Sequence, residues 1–439
     1  MVQEISGWGR VIRVAAEERV SEDLALITRD AVLTRGLGRS YGDASLPPAS
    51  GLVVANSRLA NRLLAFDAST GELTVEAGVS LHDINRVFLP RGWASPVSPG
   101  TQFVTVGGMV AADVHGKNHH REGSFGRHVR WLRLRLASGQ IAECTPDEEA
   151  GLFWATVGGM GLTGHILEVR FAMERIPSPW IWQEVRQIAS LETMLTQLRE
   201  EGVRWPFTVA WVDLLARGSL FGRSVLICGR WADVSEARHP FRPVTRRRRV
   251  PVDVPEFVLN PALMRLYNAG HHRTCRGSRG VVHPETFFYP LDTLADWNRM
   301  YGKRGFIQYQ CVIPASQPVS KVLEFFDLVR SLPLPVYLCV FKDFGAPGDG
   351  LISFPAPGFT VAMDLPNRPP HTQVAVDRLN EFVLSVGGRV YLAKDAHTRP
   401  EHFRAMEPRL AAFNEARRRW DPEGRLRSAL SVRLMGDRP

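Results

Sequence analysis

The sequence predicts an α+β protein of two layered domains followed by a basic helical tail, and three observations carry that prediction. Residues 1–177 alternate short strands and helices and are rich in glycine, residues 178–388 turn to longer strands with two amphipathic helices among them, and residues 389–439 are helical and rich in arginine. A chain of 439 residues with 44% hydrophobic content has enough apolar side chain to bury a core in each half.

In the first stretch, "GELTVEAGV" reads as a strand. Ser80 then caps a helix whose Leu81, Ile84, Val87 and Phe88 share one face before Gly92 ends it. "VRWLRLRLASGQIAEC" alternates Leu132, Leu134 and Leu136 with Arg133 and Arg135, and the Ser138-Gly139 turn folds it into a hairpin. In the second stretch "FTVAWVDLL", "RSVLICGRW", "TFFYPLD", "FIQYQCVIP", "VYLCVFKDF" and "FTVAMDL" read as mostly antiparallel strands. The two helices, near 319–332 and 374–386, cover one face of them. After "GGRVYLAKD" the chain is helical through "RPEHFRAMEPRLAAFNEARRRWDPEGRL", and it contains no internal repeat.

Composition narrows the function classes. No run of eighteen apolar residues occurs and the N-terminus lacks a secretory apolar core, so a cytoplasmic location is expected. Five scattered cysteines without a CxxC pair argue for reduced thiols and against a disulfide framework or a zinc site. The net charge of +9 favours an anionic partner. A nucleic-acid binder gathers such charge on one module with aromatic or helical readout, whereas here it is dispersed apart from the arginines of 246–249, so no nucleic-acid partner is expected. That run reads as a loop, either simply solvated or, given the apolar, proline-broken stretch after it, touching a membrane with anionic headgroups.

The chemistry gathers in glycine-rich loops. "TRGLGRSYGDAS" follows a short strand but fails the dinucleotide fingerprint: its third glycine comes one place late, and Pro47 and Pro48 forbid the helix that should follow. "SPGTQFVTVGGMVAADVHGKN" and "TVGGMGLTGHILEVRF" supply two more such loops. Glycine lets main chain approach where a Cβ would clash, so three loops in one domain can set backbone N–H groups against one extended anion, for which a pyrophosphate is the natural candidate.

In order and wording, "GLGRSYGD", "SPGTQFVTVGGMVAADVHGKNHHREGSFG" and "GGMGLTGHILE" resemble the flavoproteins with a vanillyl-alcohol-oxidase (PCMH) type FAD domain. They are most similar to the branch that oxidises the ribose of a polyprenyl phosphate, and the likeness continues through "WNRMYGKRGFIQYQCVIP", "VYLAKD" and "DPEGRLRS". The resemblance implies an FAD-binding domain over 1–177, an antiparallel-sheet substrate (cap) domain over 178–388 and a C-terminal segment, 389–439, that returns to the first. It implies FAD held by Arg35, Gly36, Leu37, Gly38, Arg39, Ser40, Tyr41, Gly42 and Asp43 of the first loop. Gly100, Thr101, Thr105, Val106, Gly107, Gly108 and Ala112 of the second loop join them, with His115, Gly116, Asn118, Ile166 and Tyr391 nearby. Many relatives bond the flavin to a histidine in the first loop; that position here resembles Arg39, which implies a non-covalent cofactor.

His115, His119 and His120 have no carboxylate or cysteine at a ligand spacing and Gly116 interrupts them, so no metal is expected. His271 and His272 fall in "NAGHHRTCRGSRG", read as a basic loop covering the site. Oxidising a secondary alcohol needs an aimed C–H, an acceptor for the hydroxyl proton and cations for a phosphate-bearing substrate. By resemblance Lys394, Tyr41 and Lys117 are the catalytic set, and Trp211, Gln308, Gln310, Lys342 and Thr360 line the substrate pocket with Lys394. Ala362 stands where the mycobacterial relatives have a cysteine, and Thr360 where they have an asparagine. The expected reaction is oxidation of the C2′ hydroxyl of a polyprenyl-phosphoryl ribose to a keto sugar for a partner reductase, at a peripheral membrane location. The alternative substrate is a soluble aldonolactone or alditol.

Overall fold

The computed structural model describes residues 2–237, 239–245, 247–275 and 277–439, so Arg246 of the arginine run lies outside the described residues. The glycine-rich half is an α+β assembly of two small sheets. Val2–Ser6, Arg13–Val20, Val53–Asn56 and Leu33–Arg35 form the first, antiparallel at its outer pair and parallel beyond. Leu63–Asp67, Glu72–Glu76, His165–Ala172, Val129–Arg135 and Ile141–Cys144 form the second, wholly antiparallel. The hairpin expected from alternating Leu and Arg is present, with Arg135 opposite Ile141. Helix Leu81–Phe88 starts on the Ser80 side chain, which accepts from the Asp83 N–H, and buries Leu81, Ile84 and Phe88 in the core shared by these strands.

Eight antiparallel strands make the large sheet, in the order Arg279–Val282, Ile181–Ile188, Ser224–Trp231, Phe207–Val212, Leu338–Phe344, Gly358–Pro366, Phe306–Pro314 and Arg389–Val390. Strand side chains alternate between faces. One face sends Ile307, Tyr309, Cys311, Cys339, Phe341, Val361 and Met363 into a core with helices Leu191–Arg204, Val319–Arg330 and His371–Ser385. Gln308, Gln310, Val340, Lys342, Ala362 and Trp211 stand on the opposite face, where His271 of helix Pro261–Thr274 meets Trp211 and Phe287 and Phe288 meet Phe207, leaving the rest of that face to line a site.

Two expected elements differ. "TFFYPLD" is not a strand: His283 caps the helix Pro284–Phe288 by accepting from Glu285 N–H, Pro284 takes the first helical position, and a 3₁₀ turn Pro290–Thr293 follows. Its aromatic run, which reads as β-like in isolation, is buried with Phe207 instead. His271 and His272 lie in the helix Pro261–Thr274 rather than a loop; Asn260 caps it, accepting from the N–H groups of Ala262 and Leu263. The C-terminal helices Pro400–Met406, Leu410–Trp420 and Ala429–Met435 pack back on the glycine-rich half through Phe413, Leu430 and Leu162.

Candidate active site

A cavity of about 840 Å³ is walled on one side by the glycine-rich loops and on the other by the open face of the large sheet. Its sheet side follows from pairing register. Gln308 stands opposite Asp364, Gln310 opposite Ala362, and Lys342 opposite Thr360, so these side chains share one face across three strands.

The glycines do two separate jobs. A Cβ on Gly36 would lie 2.3 Å from the Thr105 hydroxyl, on Gly107 2.9 Å from the Ala77 methyl, and on Gly42 1.7 Å from the carbonyl oxygen of Asp395. These glycines let the first two loops and the lysine-bearing turn close on one another. The N–H groups of Val106, Gly107 and Gly108 are consumed internally by Val79 O, Ala77 O and Thr105 Oγ1, so the second loop brings backbone close without offering those donors. The first loop is different. Among the described residues the N–H groups of Leu37, Gly38, Arg39 and Ser40 have no protein acceptor, and all four residues wall the cavity. Gly38, at φ +64°, sits in the left-handed region this turn needs. Unused donors along such a loop form a nest suited to a phosphate chain, and an FAD-sized cleft lies against them. The residues present therefore fit FAD.

Three lysines face the same cavity, and among the described residues none forms an ion pair with a carboxylate. Lys117 Nζ donates to Phe288 O at 2.9 Å. Lys342 Nζ lies 3.3 Å from His115 Nδ1. Lys394 Nζ stands 3.8 Å from the centre of the Tyr41 ring. Burial lowers all three, Lys117 to about 7 with Lys342 adding to the effect, Lys342 to about 8, and Lys394 to about 7. At Lys394 the Asp364 charge opposes that shift and Lys342 reinforces it. Asp364 is itself pushed up to about 6 by burial, while accepting from Gln308 Nε2 at 2.6 Å and Tyr301 O–H at 3.0 Å. Burial, with Lys342 next, holds His115 well below its usual range, and Gln310 Nε2 lies 3.0 Å from its Nε2.

Of the residues expected at the site, Gly36, Leu37, Gly38, Arg39, Ser40, Tyr41, Gly100, Thr101, Thr105, Gly107, Gly108, Ala112, His115, Gly116, Lys117, Ile166, Trp211, Gln308, Gln310, Lys342, Tyr391 and Lys394 all wall the cavity. Six stand behind the wall. The Arg35 guanidinium is spent on Ser6 O and Ser45, and the Asp43 carboxylate on Arg433. Gly42 packs on Asp395, and Val106 is fully buried in the core. Asn118 donates to Pro96 O, while the Thr360 hydroxyl accepts from Gln310 and donates to Cys311 O. His119 Nδ1 accepts from Gly345 N–H, and His120 Nε2 meets Trp205 O. His271 sits edge-on to Trp211 at 4.9 Å and walls the cavity.

Sequence reasoning missed Asp364, Tyr301, Asp292 and Arg249. Asp292 walls the cavity and accepts from Gln102 N–H at 2.9 Å, and Arg249 walls it while pairing with Asp296 at 3.0 Å, more than a solvated loop residue. The one available signal was a carboxylate inside an otherwise apolar strand, "VAMDLP".

These features define the class. A family model described as an FAD binding domain matches residues 9–145, and with the nest and cleft it makes the chain an FAD-dependent oxidoreductase. Along its length the chain is 34% identical to decaprenylphosphoryl-β-D-ribose oxidase of Mycolicibacterium smegmatis, covering 98% of this chain and 97% of that one. D-arabinono-1,4-lactone oxidase of Yarrowia lipolytica is 25% identical over 43% of this chain and 36% of its own, and L-gulonolactone oxidase of Bos taurus 28% over 35% and 34%. The chain belongs to the decaprenylphosphoryl-β-D-ribose oxidase family.

Proposed function

We propose that this flavoprotein oxidises the C2′ hydroxyl of a polyprenyl-phosphoryl-β-D-ribose to the 2-keto sugar, the first half of an epimerisation to an arabinose precursor of a cell wall. The observation that carries the reading is three partly buried lysines, Lys117, Lys342 and Lys394, turned to one cavity without an ion-paired carboxylate. Unneutralised cations in a low-dielectric cleft are costly unless an anion enters it, and a phosphate is such an anion. A neutral lactone or alditol gives them nothing to bind, and the lactone oxidases align with only part of the chain.

Bound FAD supplies the acceptor for the carbinol hydrogen and its electron pair. Lys394, held near neutrality, takes the hydroxyl proton as a neutral amine. Lys342 and Lys117 in their protonated forms neutralise the phosphate, and Gln308 and Gln310 orient the sugar between them and Tyr41. Asp364 acts through Gln308 and through its charge on Lys394. FAD is held without a covalent bond, because Arg39, fixed over the Trp8 ring at 4.2 Å and donating to Leu37 O at 2.6 Å, offers no nucleophile to the flavin.

The reading divides the chain into an FAD-binding domain at 1–177, a substrate domain at 178–388 and a returning segment at 389–439; the two larger apolar cores draw mostly on the first and second of these, with Ile181, Phe207, Phe287, Phe288 and Tyr289 of the second packed into the first. A ketose that must be reduced on its other face calls for a partner reductase, and a lipid-borne substrate for peripheral contact with the inner face of the plasma membrane. Among the described residues no helix is long and apolar enough to cross a membrane. The test is anaerobic mixing of the yellow holoprotein with prenyl-phosphoryl ribose, an aldonolactone and an alditol. Bleaching by the phospholipid sugar alone supports the reading; bleaching by the lactone or alditol alone refutes it.

A further inference from the structure

An exposed surface beside the cavity mouth combines two features that rarely coincide. In the sequence, nine arginines and two carboxylates fall between residues 242 and 279; of the described arginines, Arg247, Arg249 and Arg279 pair with Glu285, Asp296 and Glu184 from elsewhere in the chain. Both carboxylates are already neutralised, Asp253 by Arg10 at 2.6 Å and Arg299 at 3.2 Å, and Glu256 by Arg304 at 3.0 Å. Exposed Arg242, Arg248 and Arg273 form no ion pair among the described residues.

The same stretch is where apolar side chains face water. Among the described residues, seven of the nineteen exposed large apolar side chains lie between 244 and 267, with Phe257 77% and Leu266 71% exposed. Helix Pro261–Thr274 shows why they point outward. Its inner side is anchored by Asn268, buried and donating to Asp213 Oδ1 at 2.9 Å, and by His271 against Trp211. Leu263, Leu266 and Tyr267, at i, i+3 and i+4, therefore form an outward stripe. Tyr267 and His271 also wall the cavity, so the patch runs to its rim.

We propose that this face, Phe257 with the outward stripe of helix Pro261–Thr274 and the surrounding arginines, docks on a fluid anionic bilayer, the apolar side chains entering the headgroup region and the arginines meeting lipid phosphates. A bilayer uses both features, whereas a nucleic acid or an acidic protein segment would leave the apolar stripe in water. The inference rests on the proposed substrate only for its purpose: the prenyl chain stays in the membrane while the phosphosugar enters the cavity at Tyr267.

The experiment is co-sedimentation of the holoprotein with phosphatidylcholine vesicles, with and without phosphatidylglycerol. Binding is expected to need the anionic lipid and to weaken as salt is raised. Phe257→Glu and Leu266→Glu should each lower partitioning roughly tenfold, the worth of one lost apolar side chain. Val203→Glu, a substitution at a residue 81% exposed elsewhere on the surface, should leave it unchanged. All three positions are exposed, so flavin content and melting temperature should stay at the wild-type values. No vesicle binding by the wild type, binding of an oligonucleotide in its place, or wild-type partitioning by both glutamate variants at 257 and 266 would overturn the proposal. Vesicle binding needs no substrate, so flavin that fails to bleach with prenyl-phosphoryl ribose while vesicle binding persists counts against the reaction alone, and the reverse pattern against the docking alone.

Discussion

Replacing Lys394 tests the chemistry at its narrowest point. With its ammonium held at about 7 against an ordinary 10.5, roughly half of these amines are neutral at pH 7, compared with about one in three thousand for an unperturbed lysine. The site thus raises the concentration of usable base about a thousandfold. A positioned base contributes on the order of 10² to 10⁴ in rate, so Lys394→Ala should slow anaerobic flavin bleaching by that factor with FAD still bound. Lys394→Arg keeps a cation but never gives up its proton, so it should lose as much rate while holding substrate affinity. The acting form is the neutral one, populated above the pKa, so the wild-type bleaching rate should climb as pH rises through about 7 and then level. A Lys394→Ala enzyme within about threefold of wild type, an arginine variant at full rate, or a bleaching rate flat across neutrality would refute the base assignment.

Further outcomes follow from the geometry. Lys342→Met should raise KM for the phosphorylated substrate roughly tenfold to a hundredfold, the worth of a charge-assisted hydrogen bond at about 1.5–3 kcal/mol. Wild-type KM should itself climb from about pH 7, where Lys117 loses its proton, and further above about pH 8 as Lys342 follows, which steady-state titration will show. Asp364→Asn removes the charge that raises Lys394, so the rising limb of the pH–rate profile should move to lower pH; a limb that stays or moves up would contradict the coupling. Gly42→Ala puts a methyl 1.7 Å from Asp395 O and should cost about 1–3 kcal/mol by thermal melting, whereas Gly100→Ala, with nothing within 4 Å, should melt like wild type. Arg433→Met strands the buried carboxylates of Asp43 and Asp395, which its guanidinium holds at 2.8 and 2.9 Å, and should cost about 3–5 kcal/mol.

How much of this could be read from the sequence depended on the range of the forces involved. Period-two alternation in "FIQYQCVIP" marks Gln308 and Gln310 as one face and Ile307, Tyr309 and Cys311 as the other, because strand geometry is local. Ser80, three residues ahead of Asp83, announces its helix for the same reason. The Asp364 cluster gave no such local sign: it exists because the Gly358–Pro366 strand pairs in one register with Phe306–Pro314, and Tyr301 arrives from a separate turn. Gly42 looked like a cofactor glycine because a sequence cannot show that Asp395, some three hundred and fifty residues on, will press its carbonyl there. The aromatic run at 287–289 misled because β-propensity reflects packing on a pleated surface, and here a helix cap and Pro284 decided otherwise. Helix Pro261–Thr274 was hidden by its own exposure, since apolar residues on its outward side blur the stripe that normally marks a core-facing helix.

The most direct test of the central claim is the fate of one hydrogen. Anaerobic bleaching of the holoprotein should be slower with prenyl-phosphoryl ribose deuterated at C2′ than with unlabelled sugar or sugar deuterated at C3′, and the product should be a 2-keto sugar without the label. Bleaching indifferent to the C2′ label, or a product that keeps the deuterium, would contradict it.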